Sequence, residues 1–600
     1  MRLLDRITGQ DLSVLPEVMH SGRYLLRQDA VLNRHTSLKA GDVLCSDGAD
    51  RCQLGDIRLS FVPIDQALAA KGELFGDAIT TITGLMSAGV EMPSPLLPSA
   101  MINEQGRLTP LERMLCEVLK TGHLHSISTR PRIDLKYEEA VTDVARARRL
   151  TTGTYTHLAS HSECWQRQTL SGVQPRRVLA RFSEDDYATY ENRVYARLLD
   201  GLDNYLTQRL QRLEALRDDL EQALRFTGSK SLHFRLIRAI CALWGQTYDA
   251  GQTKLQLDAT LYALEKIGSQ LTSIRGLKQT GLYLLVPRSL RLGASLHRTN
   301  ILTHDQHYRH LALLWDELQH SLQISNRTPA EILAANQKLE LNYSRYVGLI
   351  LSHALLKYGS EVNDGVLWAG HQLQTVQSGL EWHLKVDGAV VLELVPWARL
   401  GHLPDDAVQL GEHRIVCWPG VELGDALESA LTGSALRLSP MDLYTVERLG
   451  ALIDGTLSRI LLGHYGKSIQ PLPAAVAIDA EHCNGLKVQG NSLQVLAPLG
   501  GEAAQRVQAL FDKHARRELS QAFIERLAGV RTLSMCPVCD VPAELSIQAD
   551  DGFSSKCSSC GCKRYWRKSG ADRWVYQQVL GELHDFRLTG RRSMAFSLQR

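Results

Sequence analysis

From Val194 the chain places Leu198, Leu199, Leu202, Leu206, Leu210, Leu213, Leu216, Leu220 and Leu224 at intervals of three or four residues. That apolar stripe predicts one amphipathic helix of about nine turns, long enough for half of a helical hairpin or stalk. Helical periodicity covers 137–225 as a whole, and returns over 231–248, 253–272, 305–322 and 328–358. Residues 66–120 are also helical in pattern, interrupted by the loop GVEMPSPLLPSA, whose prolines cannot sit inside a helix. Residues 1–65 differ: short apolar runs between glycine turns (SGRYLL, AGDVLCSDGAD, LGDIRLSFVPI) predict a small β-rich unit. The character changes again near Gly359. EWHLKV, AVVLELV, RIVCW, AAVAI and LKVQGNSLQVL, within 380–395, 413–418, 474–478 and 485–496, read as strands, the last as a hairpin about a Gly-Asn turn. Helices at 440–463 and 502–528 alternate with them.

The expectation is therefore a multidomain α+β protein. It has a β-rich or mixed N-terminal domain (1–120), a helical, stalk-like middle (121–358), an α/β domain (359–530) and a C-terminal ribbon (531–600). Six hundred residues exceed what one hydrophobic core supports. An apolar content of 44 % and 67 basic against 65 acidic side chains are ordinary, so any nucleic-acid surface must be a local patch. With no run of eighteen apolar residues and no signal-peptide core at the start, a soluble cytoplasmic protein without membrane contact is expected.

Cysteine usage sharpens the picture. Of twelve cysteines, seven are scattered over the first 500 residues and five crowd into the last 65. Cys536 and Cys539 form one C-x2-C knuckle, and Cys557 and Cys560 another, with seventeen residues between. Two such knuckles supply the four thiolates of a tetrahedral zinc site with no open position, so a structural zinc ion is expected. Cys562 could replace Cys560, although C-x2-C is the commoner geometry. After the second knuckle come Lys563, Arg564, Tyr565, Trp566, Arg567, Lys568, Arg573 and Trp574, and residues 551–600 carry ten Lys/Arg against four Asp/Glu. Cations that neutralise phosphates, interleaved with rings that stack on bases, make this flank a candidate nucleic-acid surface; covering the small ribbon is the plainer role for the rings.

The middle holds a second basic stretch. Between Trp165 and Phe182 stand Arg167, Arg176, Arg177 and Arg181 with no acid, and Arg146, Arg148 and Arg149 form another cluster. Arg176 and Arg177 are taken as candidate contacts, weighed against a solvated charged face. Here PRRVLARF, YENRVYARLL and TNILTHDQHYRHLALLW resemble a prokaryotic family, over roughly residues 120–350, known mostly as a domain of unknown function. Its members sit beside McrB-like motor NTPases, and McrC-like members carry a PD-(D/E)XK nuclease domain. The resemblance implies a helical stalk coupling a motor or sensor to an effector, in defence against phage or foreign DNA, with a motor ATPase, helicase or nuclease subunit as partner. Glu191, Asn192 and Arg193 at a helix start predict a buried polar junction there.

Catalytic sets are incomplete. A PD-(D/E)XK site needs an Asp and then a strand bearing Glu-x-Lys to hold Mg²⁺. Asp387 and Glu393 are the nearest candidates, but Glu393 is followed by Leu394 and Val395, so the lysine is missing. GHYGKS ends like a P-loop, yet Leu461 stands where the first glycine belongs. His157, His161 and Cys164, spaced for one helical face beside Trp165, read more simply as packing. The sequence thus points to a DNA-binding, non-catalytic subunit, with a divergent nuclease or a pure protein adaptor as the alternatives.

Overall fold

The computed structural model describes residues 2–12, 16–33, 36–49, 51–63, 66–90, 93–246, 249–287, 296–323, 328–359, 365–411, 413–420, 431–514, 516–570, 572–581 and 586–599. The chain is mixed α+β and divides into two compact units. One comprises Met1–Gly106, Glu214–Thr260 and Arg327–Arg600, the other Arg107–Leu213 and Leu261–Asn326. No described helix is long and apolar enough to cross a membrane.

In the first unit the N-terminal residues form two small sheets, whose inward Leu3, Leu26, Leu44, Leu54 and Leu59 share a core with Leu333. Residues 89–98 of the predicted loop 89–100 fall between helices Gln66–Ser87 and Ser99–Gln105, and its last two residues open the second helix; residues 91 and 92 lie outside the described set. The larger core gathers around a seven-stranded sheet. Strands Val366–Trp368, His371–Ser378, Glu381–Val386 and Ala389–Pro396 run antiparallel in sequence order, and Arg414–Trp418 and Ala435–Arg437 then add in parallel. Helix Pro329–Leu355 opens with Thr328 and Glu331 in a reciprocal capping box and a proline in its first turn. Its buried Tyr343, Tyr346, Val347, Ile350 and Leu351 join this core. Gly348 is required where the helix meets the sheet: a Cβ there would lie 2.2 Å from the Trp382 ring, whose Nε1 donates to Ser344 O at 2.8 Å.

The hairpin Leu486–Gln489/Ser492–Val495 forms as expected. AAVAI does not: it begins helix Ala474–Glu481, because Pro471 and Pro473 ahead of it suit a helix start and the apolar run is too short to identify itself. The segment 502–528 is two helices, Gly501–Lys513 and Arg517–Ser534. The chain ends in a five-stranded antiparallel sheet, Leu545–Ile547, Phe553–Lys556, Lys563–Lys568, Arg573–Val579 and Met594–Gln599 in sequence order.

The second unit is built on helices. Val194, Leu198, Leu199, Leu202, Leu206 and Leu213 of helix Tyr190–Gly228 pack with Ile267, Leu271 and Ile274 of helix Ala250–Gln279, and with Leu311, Leu314 and Leu318 of helix Arg309–Gln323. Before the long helix, however, helical periodicity misleads. Strands Asp134–Asp143 and Arg177–Asp186 pair antiparallel over ten registers, from Asp134 opposite Asp186 to Asp143 opposite Arg177. Between them lie a short helix, Thr154–Ser160, and a small ribbon, Trp165–Thr169 with Gly172–Pro175. Alanine and arginine favour helices, but cross-strand pairing of Val141 with Leu179 and Ala140 with Ala180 prevails over that weak preference. His157, His161 and Cys164 consequently do not share one helix. The two imidazoles stack at 3.9 Å while Cys164 is buried in the following turn.

Candidate metal centre and nucleic-acid surfaces

Helix Arg517–Ser534 delivers the first cysteine knuckle at its end, and the second is the turn between strands Phe553–Lys556 and Lys563–Lys568. Both are closed by the same backbone device. Asp540 N donates to Cys536 O at 2.9 Å and Gly561 N to Cys557 O at 3.0 Å. Each of these two residues follows the second cysteine of its knuckle with positive φ, 54° at Asp540 and 75° at Gly561. The Sγ of Cys536 lies 3.5 Å from that of Cys560, and Cys539 lies 3.3 Å from Cys557. Four thiolates about 2.3 Å from a tetrahedral ion would stand about 3.8 Å apart, so the donors fit one with little adjustment. All four sulfurs lie within 4.8 Å of one another and could hold a metal ion. The Cys562 thiol, then the backbone amides of Val538 and Cys539, pull the Cys536 thiol down to about 4, against its burial. Cys562 itself is buried and is not one of the four.

The basic strand that follows alternates faces. Arg564 and Trp566, expected as nucleic-acid contacts, point inward. Arg564 is 3 % exposed and donates to Leu533 O at 2.5 Å and Ser555 Oγ at 3.2 Å. Trp566 is fully buried, stacked on Trp574 at 5.2 Å between centroids. With Phe553 and Tyr576, these rings join the main core of the first unit, which also holds Tyr465 and Phe523. Lys563, Arg567, Lys568 and Arg573 remain exposed, and the Arg567 guanidinium lies 4.5 Å from the half-buried Tyr565 ring.

The second basic surface is the insertion between the paired strands of the helical unit, with the first half of strand Arg177–Asp186; the other end of the strand pair is acidic, with Asp134, Glu138, Glu184, Asp185 and Asp186. Residues 144–181 hold seven arginines (Arg146, Arg148, Arg149, Arg167, Arg176, Arg177 and Arg181) and a single acid, Glu163. Every one of the seven is exposed. Only Arg177 has a carboxylate within ion-pair distance among the described residues, Asp143 at 3.4 Å with both side chains more than half exposed; so weak a pair leaves the guanidinium available. Arg181 covers the Tyr137 ring at 3.9 Å.

The base of this arm is fastened by the YENR segment. Asn192 Nδ2 donates to Arg132 O at 2.7 Å and to Tyr187 O at 3.1 Å, one on each side of the strand pair, and Asn192 Oδ1 accepts from Tyr308 Oη at 2.7 Å. Glu191 accepts from Thr299 Oγ1 at 2.6 Å. Arg132 also pairs with Asp305 at 2.7 Å; although burial opposes it, this contact with the amides of His307 and Tyr308 holds Asp305 at about 2.

A third cluster lies on the seven-stranded sheet. Glu381 and His383, two residues apart on one strand, face Glu393 on the next, and the three could hold a cation. Asp387 is elsewhere: it sits in the turn joining the two strands with φ 50°, bound to His371 Nδ1 and to the Gln372 amide, each at 2.7 Å. Arg414, beside Glu393 in the parallel register, pairs with Glu393 and, at 3.1 Å, with Glu381. Burial, then proximity to Glu393, pushes the Glu381 carboxyl up to about 7, while Arg414 holds Glu393 low. His383 Nε2 stands 3.3 Å from Glu393 Oε1. Sequence reasoning found Glu393 without Glu381, His383 or Arg414. The alternation in EWHLKV put the first two on one face, but only the strand register shows which face meets Glu393. No family model, curated protein or solved structure matches this chain.

Proposed function

We propose that the protein is a nucleic-acid-binding, non-catalytic component of a multi-protein prokaryotic defence system. It holds DNA on the arginine arm and is joined by a motor ATPase, helicase or nuclease subunit. The observation that carries this reading is the set of seven exposed arginines against one acid over residues 144–181. A surface of this kind attracts a polyanion through counterion release and needs no base-specific geometry. The ion of the cysteine cluster is taken as zinc, since four thiolates suit a soft, tetrahedral, redox-inert cation. Its role is structural, tying the final sheet to helix Arg517–Ser534. Defence and the partner rest on the family resemblance alone. Fluorescence anisotropy of labelled DNA against the purified chain, over a series of salt concentrations, tests the reading. Binding should weaken steeply with salt, and its absence at low salt rejects the proposal. Co-purification with a neighbour-encoded ATPase tests the partner.

A second reading, a divergent metal-dependent nuclease, is favoured by the convergence of Glu381, His383 and Glu393. Arg414 weighs against it, because its guanidinium already neutralises both carboxylates and a divalent ion would have to displace it. Incubation with plasmid and single-stranded DNA in Mg²⁺ or Mn²⁺ decides. Cleavage abolished by Glu393→Ala would establish the nuclease; cleavage surviving that change would exclude this site.

A further inference from the structure

At the outer end of the arginine arm, strands Trp165–Thr169 and Gly172–Pro175 form a narrow ribbon whose tip is Leu170 and Ser171. Leu170 is as exposed as a leucine can be, with a relative accessibility of 111 %. An exposed leucine alone needs no explanation, but this one is presented by a stiffened support. Thr169 Oγ1 donates to Gly172 O at 2.7 Å and lies 3.2 Å from Ser171 Oγ, closing the tip. Gly172 has φ 131°, a conformation that a side chain would strain. At the other end, Trp165 Nε1 donates to Leu158 O at 2.7 Å and Arg176 N to Cys164 O at 2.8 Å, anchoring both strands to the neighbouring helix and turn. Midway, Arg167 Nε donates to Gln174 Oε1 at 2.6 Å, which fixes the stem of that guanidinium across the ribbon.

We infer that this ribbon is a wedge for duplex DNA, with Leu170 entering a base step while Arg167, Arg176 and Arg177 hold the flanking phosphates. The inference rests on the nucleic-acid reading above and deepens it by naming the duplex form and the contact. The dimensions agree. The major groove, about 12 Å wide and about 8.5 Å deep, admits a two-stranded ribbon, and Arg167, three residues behind the tip, lies about 10 Å back along an extended strand. A tip on the groove floor therefore leaves Arg167 level with the phosphate rim. Charge complementarity selects the occupant: residues 143–181 set seven exposed arginines against only Asp143 and Glu163, a poor match for an ordinary protein surface and a good one for a polyanion. An apolar side chain inserted between base pairs regains the burial it lacks in water, which offsets the lost stacking and kinks the duplex.

The test uses the full chain and duplexes carrying 2-aminopurine, whose fluorescence rises when it is unstacked. The native protein should raise that signal. Leu170→Ala, a change at a fully exposed position, should remove most of the rise while affinity and its salt dependence stay within about twofold, because the phosphate contacts remain. Leu170→Phe should restore the signal, since a ring also wedges. Tight binding with no fluorescence rise, or an equal rise with Leu170→Ala, overturns the wedge and leaves the arm as a phosphate clamp. Failure of the native chain to bind any duplex overturns both the wedge and the reading it rests on.

Discussion

Strand Lys563–Lys568 and the arm of residues 134–186 both intersperse cations with rings and aliphatic side chains, and the fold disposes of them in opposite ways. In the C-terminal sheet the alternation of a strand turns Arg564 and Trp566 inward, where the guanidinium satisfies Leu533 and Ser555 and the indole supplies core. In the arm the core is minimal, chiefly Cys164, Val178 and Ala180, and all seven arginines face water. The lesson is that a basic-aromatic stretch stays on the surface only where its rings are not needed for the core. The C-terminal sheet commits its rings to the main core of its unit, whereas the arm is fastened at its base by Asn192 and the Arg132–Asp305 pair.

Metal removal should separate the two regions most strongly. Structural zinc sites contribute about 10–16 kcal/mol in isolated fingers, so a chelator, or Cys536→Ser, should unfold the final sheet. Trp566 and Trp574 would then enter water, with a red shift of tryptophan emission. DNA affinity should fall less than about tenfold, because the arm does not depend on that ion. If chelation abolishes binding instead, the ribbon is the principal surface and the comparison inverts. Next in size is charge reversal. Changing Arg146, Arg148, Arg176 and Arg177 to Glu should weaken DNA binding by about 10³-fold or more and lower the slope of log K against log salt by about 0.9 per lost contact. The same reversal at Lys563, Arg567, Lys568 and Arg573 should cost under about tenfold. Anisotropy titrations measure both.

Stability should respond the other way round. Arg564→Ala leaves the Leu533 carbonyl and the Ser555 hydroxyl buried without their donor, and should cost about 2–4 kcal/mol in urea unfolding with DNA affinity unchanged. Arg148→Ala, on an exposed position, should change stability by less than about 0.5 kcal/mol. Equal losses at the two positions would show that the inward and outward assignments are misplaced.

Much of this was legible in the chain, for identifiable reasons. The leucine stripe from Val194 announced the long helix because nine positions agree on one period, and the two C-x2-C knuckles announced their cluster because metal geometry dictates the spacing. The arm was not legible. Its arginines and alanines favour helices, and the alternation of Leu135, Tyr137 and Val141 is short and broken by Glu138–Glu139. Arg564 and Trp566 were read by composition, which counts charges without regard to the face they occupy. Glu381 with Glu393 was hidden for a third reason: pairing across a hairpin depends on register, and the irregularity between Leu384 and Lys385 shifts it by one residue.

The arm and the first unit should also differ in their response to pH. The arm's arginines keep their charge throughout the accessible range, so DNA affinity should stay nearly flat from pH 6 to pH 8. The first unit should not be so indifferent. Glu340 is buried with Arg6 at 3.3 Å and the Ala398 amide donating at 3.3 Å, and a Cβ on Gly22 would lie 2.0 Å from its Oε1, which shows how closely the carboxyl is enclosed. Burial outweighs Arg6 and pushes this carboxyl from its ordinary value of 4.5 up to about 7. A raised folded-state value means that ionisation is harder folded than unfolded. The contribution is therefore complete below pH 4.5, is lost as pH climbs toward 7, and totals up to about 3 kcal/mol. Glu340→Gln has no proton to lose, so the stability difference between variant and native chain should drift in the variant's favour between pH 4.5 and pH 7 and be level on either side. Urea melts at pH 4, 5, 6, 7 and 8 measure that drift. A difference that stays constant would mean that Arg6 keeps Glu340 ionised throughout, making the buried pair as insensitive to pH as the exposed arm.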